Sequence, residues 1–168
     1  MNELGELRIL VVCLGNICRS PMAHGVLLRR LEHAGLGDRV HVDSAGTGDY
    51  HIGKGPDPRA RMATGGRGYD ISQLRARQVE PVDFHLYDLI LAADRENLAD
   101  LMAIAPGPEE RAKVRLLLSY GRSGAKEVPD PYEGGEADFD LALDLIEDAV
   151  DGLVGAIERD EWARDASA

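Results

Sequence analysis

The chain has 168 residues, of which 44% are hydrophobic, and carries a formal net charge of -11. This length fits one domain with a full-sized core, and the acidity argues against non-specific binding to nucleic acid or an anionic membrane surface. Two cysteines are too few for a disulfide scaffold and, with no His/Cys cluster beside them, fall short of the four ligands of a structural zinc site.

The N-terminal stretch MNELGELRILVV lacks the basic flank and small-residue cleavage site of a signal peptide. No apolar run approaches the ~20 residues needed to cross a bilayer, so a reducing, cytoplasmic setting is expected. Residues 127–168 hold 14 acidic and 2 basic side chains, a balance of -12 that leaves the rest of the chain at +1. Such a run reads as a solvated helix face with a tail. No repeat or linker divides the chain, which predicts a single domain over 1–161 and a tail over 162–168.

In chain order, LRILVV (7–12) is a short apolar, β-branched run that reads as a buried parallel strand. From Ser20 a helix follows, with Pro21 at its first position, Val26, Leu27, Leu28 and Leu31 on an apolar side, and Gly35 as its stop. RVHVDS (39–44) alternates as a second strand, and the Gly- and Pro-rich 45–58 reads as a surface loop. A weaker helix is predicted over 58–68, then a strand over 87–93, a helix over 94–104 and a strand over 113–120. Over 136–161, Phe139, Leu143, Ile146, Val150, Leu153 and Ile157 recur at steps of four and three, one stripe of a long helix. Strands alternating with helices imply an α/β fold with a parallel sheet covered on both faces. Its ligands would sit beyond the carboxyl ends of the strands, where the loop after the first strand falls.

That loop reads CLGNICR, a Cys-x5-Arg pattern from Cys13 to Arg19 followed by Ser20. Gly15 and Asn16 can take left-handed backbone conformations that turn N–H groups inward, and Ser20-Pro21 opens a helix. A loop of inward amides at a helix N-terminus suits an anion, and Arg19 adds a two-pronged donor matched to phosphate oxygens. Such a field also favours thiolate, the nucleophilic form of cysteine. Buried free cysteines are more often small core hydrophobes, a reading that suits Cys18 better than Cys13.

The segment VCLGNICRSPMA resembles the active-site signature of the low-molecular-weight protein tyrosine phosphatases. VDSAGTGDYHIGKGPDPRA (42–60), GYDISQLRARQV (68–79), YDLILAADREN (87–97) and VPDPY (128–132) resemble further blocks of that family, in the same order. The resemblance spans roughly 7–157 and implies a four-stranded parallel sheet with helices on both faces, Rossmann-like. It also implies hydrolysis of phosphotyrosine, an aryl phosphate, by Cys13 as nucleophile, with Arg19 binding phosphate and Asp130 as general acid and then base. Leu14, Gly15, Asn16, Ile17, Cys18 and Ser20 would line the phosphate loop. Asn16 would hold its conformation with support from Ser44, and Ser20 would stabilise the Cys13 thiolate. Cys18 matches a second loop cysteine and implies a reversible Cys13–Cys18 disulfide that shields the nucleophile. Tyr50 and Tyr132, with Leu14, would form a slot for a phenyl ring.

No metal or organic cofactor is implied, and the expected partner of this monomer is a tyrosine-phosphorylated protein, a bacterial tyrosine kinase among the candidates. Three departures stand out. Glu133 replaces the second tyrosine after the acid loop, Leu74 replaces a histidine common in the loop-supporting network, and Tyr50 replaces the usual tryptophan. The five histidines show no ligand-like spacing and read as surface or packing residues, with His51 bordering the cleft. Of the alternatives, a thiol-relay arsenate reductase would need cysteines beyond Cys18. A phosphoarginine phosphatase would carry a threonine in place of Ile17, and a silent phosphotyrosine-binding module would not need nucleophile, arginine, serine and acid together.

Overall fold

The computed structural model describes residues 5–163. Its sheet comprises β1 (Leu7–Cys13), β2 (Val40–Gly46), β3 (Leu89–Ala92) and β4 (Val114–Leu116), in the order β2-β1-β3-β4 with every pair parallel. The helices are α1 (Arg19–His33), α2 (Pro58–Gly65), α3 (Asp83–Leu86), α4 (Arg95–Ile104), α5 (Pro108–Arg111) and α6 (Glu136–Glu158), with a 3-10 turn at Leu117–Tyr120.

Strand β1 shows why the sequence of an inner parallel strand is apolar throughout. Its side chains alternate between faces, and both faces are covered. Leu7, Ile9 and Val11 join the core beneath α1 and α6, while Leu10 and Val12 join the second core formed with Phe84, Ile90 and Leu101. The stripe read over the last helix is the buried side of α6: Phe139, Leu143, Ile146, Val150, Leu153 and Ile157 are all buried. Each such side chain contributes roughly 1.5–3 kcal/mol of transfer free energy relative to exposure. Gly152 lets this helix close on the 3-10 turn, since a Cβ there would stand 1.9 Å from the Tyr120 carbonyl oxygen.

The structure corrects several expectations. The predicted strand over 113–120 pairs only at Val114–Leu116, and the next four residues turn as a 3-10 helix with Leu117 and Leu118 both buried. Both join the same core, which needs a turn, because strand alternation would send one of them to the core on the opposite face. Leu28 is not on the apolar side of α1 but 43% exposed. Strand β2 extends to Gly46, two residues into the predicted loop, and helices α3 and α5 were not anticipated. Gly35 ends α1 as predicted, with φ 73°. Trp162 packs against the core and its carbonyl accepts from Tyr120 Oη at 2.6 Å, within the segment assigned to the tail. The remainder of that tail, 164–168, lies outside the described residues, as do 1–4.

The chain passes from β1 to β2 on one side and then crosses back from β2 to β3 on the other side of β1. That reversal opens a crevice at the carboxyl ends of the central strands. Residues 14–18, between β1 and α1, stand in it.

Candidate active site

Three segments are tied together around the crevice. Gly46 N and O pair with Arg77 O and Val79 N, and the loop after β2 is strapped to the first loop by Thr47 N to Cys13 O and Gly48 N to Leu14 O, both 2.9 Å. Gly46 permits this approach, because a Cβ there would lie 2.7 Å from the Leu14 carbonyl oxygen. Asp57 N–H donates to Ile17 O at 2.9 Å, and Val128 N–H donates to Ala93 O at 2.8 Å, which anchors the base of the acid loop to the end of β3.

The cleft between these segments is lined by Cys13, Leu14, Gly15, Ile17, Cys18, Arg19, Tyr50, His51, Asp130 and Tyr132. Its volume of about 140 Å³ is close to the ~150 Å³ that takes up a benzene molecule in an engineered cavity. Cys13 is buried, and its Sγ receives the Asn16 backbone N–H at 3.3 Å and lies 3.0 Å from Ser20 Oγ. Asn16 takes the left-handed conformation, φ 56°, and its side chain fastens the loop. Nδ2 donates to Ser20 Oγ at 2.7 Å and Ser44 Oγ at 3.2 Å, while Oδ1 accepts from Arg77 N at 3.0 Å. Gly15, expected to share the left-handed backbone, does not have a positive φ. Its lack of a side chain instead leaves room for His51, whose Cδ2 would lie 3.0 Å from an added Cβ.

Arg19 is buried and held in place on one side. Nη1 donates to Asp94 Oδ2 at 2.7 Å and to Val128 O at 2.9 Å, and Nη2 lies 3.6 Å from Asp130 Oδ2. Burial works to lower its pKa, but the neighbouring Cys13, Asp94 and Asp130 outweigh that and raise it, so the guanidinium stays charged. The two cysteines are electrostatically distinct. Burial, helped by Asp57, Cys13 and Asp130, pushes the Cys18 thiol up to about 12, so Cys18 is protonated at neutral pH.

Asp130 reaches the cleft from the opposite side to the first loop. Its Oδ1 accepts from Tyr132 N at 3.1 Å, and about half its side chain stays open to solvent. The acid loop is clamped by Arg59, which pairs with Asp57 at 2.9 Å and donates to Tyr132 O at 2.8 Å and Gly134 O at 3.1 Å. Its guanidinium carbon sits 5.6 Å from the centre of the Tyr132 ring. Tyr50 and Tyr132 flank His51, with ring centroids 6.4 and 6.3 Å from the imidazole, and complete the rim. Glu133 is exposed, while Leu74 packs against the core.

Every residue named for the site from sequence therefore falls in or directly behind one cleft. Asp94, Arg59, Arg77 and His24 were not named. Asp94 carried a faint signal, an acid at the carboxyl end of a parallel strand and the head of a helix. The other three matter only through tertiary neighbours. Among the described residues no group of three or more His, Cys, Asp or Glu side chains is placed to hold a metal ion, and no helix is long and apolar enough to cross a membrane.

A family model described as low molecular weight phosphotyrosine protein phosphatase matches residues 8–163. A low molecular weight protein-tyrosine-phosphatase of Streptomyces coelicolor is 44% identical over 162 residues, covering 95% of this chain and 98% of the relative. A putative low molecular weight protein-tyrosine-phosphatase of Synechocystis is 43% identical over 155 residues, with 92% and 98% covered. A crystal structure of a protein tyrosine phosphatase from Entamoeba histolytica superimposes with a TM-score of 0.90 at 36% identity, covering 93% of this chain and 99% of that one. The chain belongs to the low molecular weight phosphotyrosine protein phosphatase family.

Proposed function

We propose that this chain hydrolyses phosphotyrosine in proteins in two steps through a cysteinyl-phosphate. One observation carries the reading. A buried cysteine sulfur receives the Asn16 backbone N–H at the floor of a cleft that also presents a buried, charged Arg19 and, from the far side, the carboxylate of Asp130.

In the first step the Cys13 thiolate attacks phosphorus in line. Arg19 and the loop amides of Leu14, Gly15, Asn16, Ile17 and Cys18 take the three equatorial oxygens as charge develops on them. Asp130 protonates the departing phenol oxygen, so a phenolate need not leave unaided. In the second step Asp130 accepts a proton from water as that water attacks the phosphocysteine. The Ser20 hydroxyl, 3.0 Å from Sγ, stabilises Cys13 as the departing thiolate. The Arg19–Asp130 contact loosens when phosphate arrives, freeing both groups for these roles.

Leu14, Tyr50, His51 and Tyr132 wall the cleft and suit a planar aryl group, while an alkyl phosphate would be too short to fill it. The reading carries with it a cytoplasmic monomer acting on a tyrosine-phosphorylated protein, a bacterial tyrosine kinase among the candidates. The test is turnover of para-nitrophenyl phosphate by the reduced protein, inhibited by vanadate and lost in Cys13→Ser. Absence of turnover in the intact protein overturns the reading in favour of a phosphotyrosine-binding module.

A further inference from the structure

The loop that carries Cys13 is backed by a chain of buried polar groups whose last member the reaction above does not use. Ser20 Oγ lies 3.0 Å from Cys13 Sγ, Asn16 Nδ2 donates to both Ser20 Oγ and Ser44 Oγ, and Ser44 Oγ lies 3.2 Å from His24 Nδ1. Asn16, Ser20, Ser44 and His24 are all buried, with His24 at 6% exposure.

The direction of each hydrogen bond follows from one end of the chain. The Arg77 backbone N–H must meet an acceptor, so Asn16 presents Oδ1 to it and turns Nδ2 toward the serines. Both hydrogens of that nitrogen are then spent, one on each serine oxygen. Each serine keeps its own proton to donate: Ser20 has the Cys13 sulfur at 3.0 Å and the Ala45 carbonyl oxygen at 3.5 Å before it, and Ser44 has His24 Nδ1. The second donation requires a lone pair on Nδ1, hence a neutral imidazole with its proton on Nε2. A proton on Nδ1 would make Ser44 Oγ accept twice and leave the buried Ser44 hydrogen with no acceptor among its described contacts.

We infer that His24 is a positioning residue for the phosphate loop: its neutral Nδ1 anchors the Ser44 hydroxyl and, through it, the Asn16 side chain that holds the loop's left-handed turn. The inference rests on the proposed reaction for its meaning, but the contacts stand without it. His24 thereby supplies from α1 an imidazole to a network in which Leu74 provides none. Burial lowers the His24 pKa against the opposing pull of Asp43, in keeping with the neutral form.

The test is a double-variant cycle on the reduced full chain with His24→Leu, His24→Asn, Ser44→Ala and His24→Leu combined with Ser44→Ala. Two readouts are taken: turnover of para-nitrophenyl phosphate, and the rate at which iodoacetate alkylates Cys13, which needs no catalysis and so separates failure of this inference from failure of the proposed reaction. His24→Leu is expected to lower kcat about tenfold with KM little changed, the size of effect that coupled neighbours and small misplacements produce. His24→Asn, whose side-chain oxygen accepts in place of Nδ1, should recover most of the loss, and the combined variant should be no worse than Ser44→Ala. The alkylation rates should fall in the same order. A wild-type His24→Leu, a His24→Asn as impaired as His24→Leu, or a combined loss equal to the product of the single losses would each overturn the inference. If His24→Leu does not fold, His24→Ala takes its place in the cycle.

Discussion

The guanidinium of Arg19 is fixed by the carboxylate of Asp94, 2.7 Å away and 75 residues later in the chain. One oxygen of Asp94 holds Arg19 while the other caps α4 by accepting Asn97 N–H at 2.7 Å. The geometry of the phosphate fork thus depends on the helix that begins where β3 ends.

That dual use makes two substitutions at position 94 informative. Asp94→Asn keeps an oxygen for the cap but removes the charge that faces Arg19. We expect kcat/KM for para-nitrophenyl phosphate to fall about 10²-fold, the cost of a small misplacement at a preorganised site, with little change in melting temperature. Asp94→Ala should lose the same activity and about 1 kcal/mol of stability with the cap. Steady-state kinetics beside thermal denaturation separates the two effects; full activity in Asp94→Asn would show that Arg19 does not depend on this partner.

Asp130 is tested through the leaving group. A general acid is worth roughly 10²–10⁴-fold, and the benefit grows with the basicity of the oxygen being protonated. Asp130→Ala should therefore slow phenyl phosphate far more than 2,4-dinitrophenyl phosphate. The check is the slope of log rate against phenol pKa, which should steepen in the variant. An equal loss across the series would remove proton donation from Asp130.

Cys18 should prove dispensable for turnover and necessary for recovery from oxidation. Its thiol, pushed up to about 12, remains protonated and does not compete for phosphorus. If peroxide converts Cys13 to a sulfenic acid, that group condenses with the Cys18 thiol, forming the disulfide and releasing water. The expected result is that Cys18→Ser retains activity but, after brief peroxide treatment, regains much less of it with dithiothreitol than the wild type does. Equal recovery in both proteins would remove the guard role.

What could be read in the sequence follows the range of the forces involved. Strand β1 and helix α6 were legible because their burial is periodic along the chain, two-sided in one and a stripe in the other. Leu117 and Leu118 carry the same apolar letters as a strand, yet they turn toward a single core beside an edge strand that pairs over only three residues. Cys13, Arg19 and Ser20 form a local pattern, whereas Asp130 was reached only by resemblance, since an acid between two prolines is ordinarily a turn. Asp94, Arg59 and His24 acquire their meaning from partners 75, 73 and 20 residues away. No local pattern reports such distances.

The buried imidazole also predicts how stability responds to pH. The pKa of His24 is lowered in the folded protein from its ordinary value of about 6.5, chiefly because burial penalises the charged ring. Above about 6.5 the ring is neutral in both folded and unfolded chains and its contribution is constant. As pH falls below that value the unfolded chain takes up the proton first, so stability declines until the folded-state pKa is reached. Between pH 7 and 5 the melting temperature of the wild type should therefore fall more steeply than that of His24→Asn, which keeps an acceptor for Ser44 but does not titrate. Carboxylates with lowered values, such as Asp57, lose their contribution at lower pH and act equally in both proteins. Parallel melting curves for the two proteins across that range would mean that His24 takes its proton as readily when folded as when unfolded, and the neutral tautomer assigned to it would not hold.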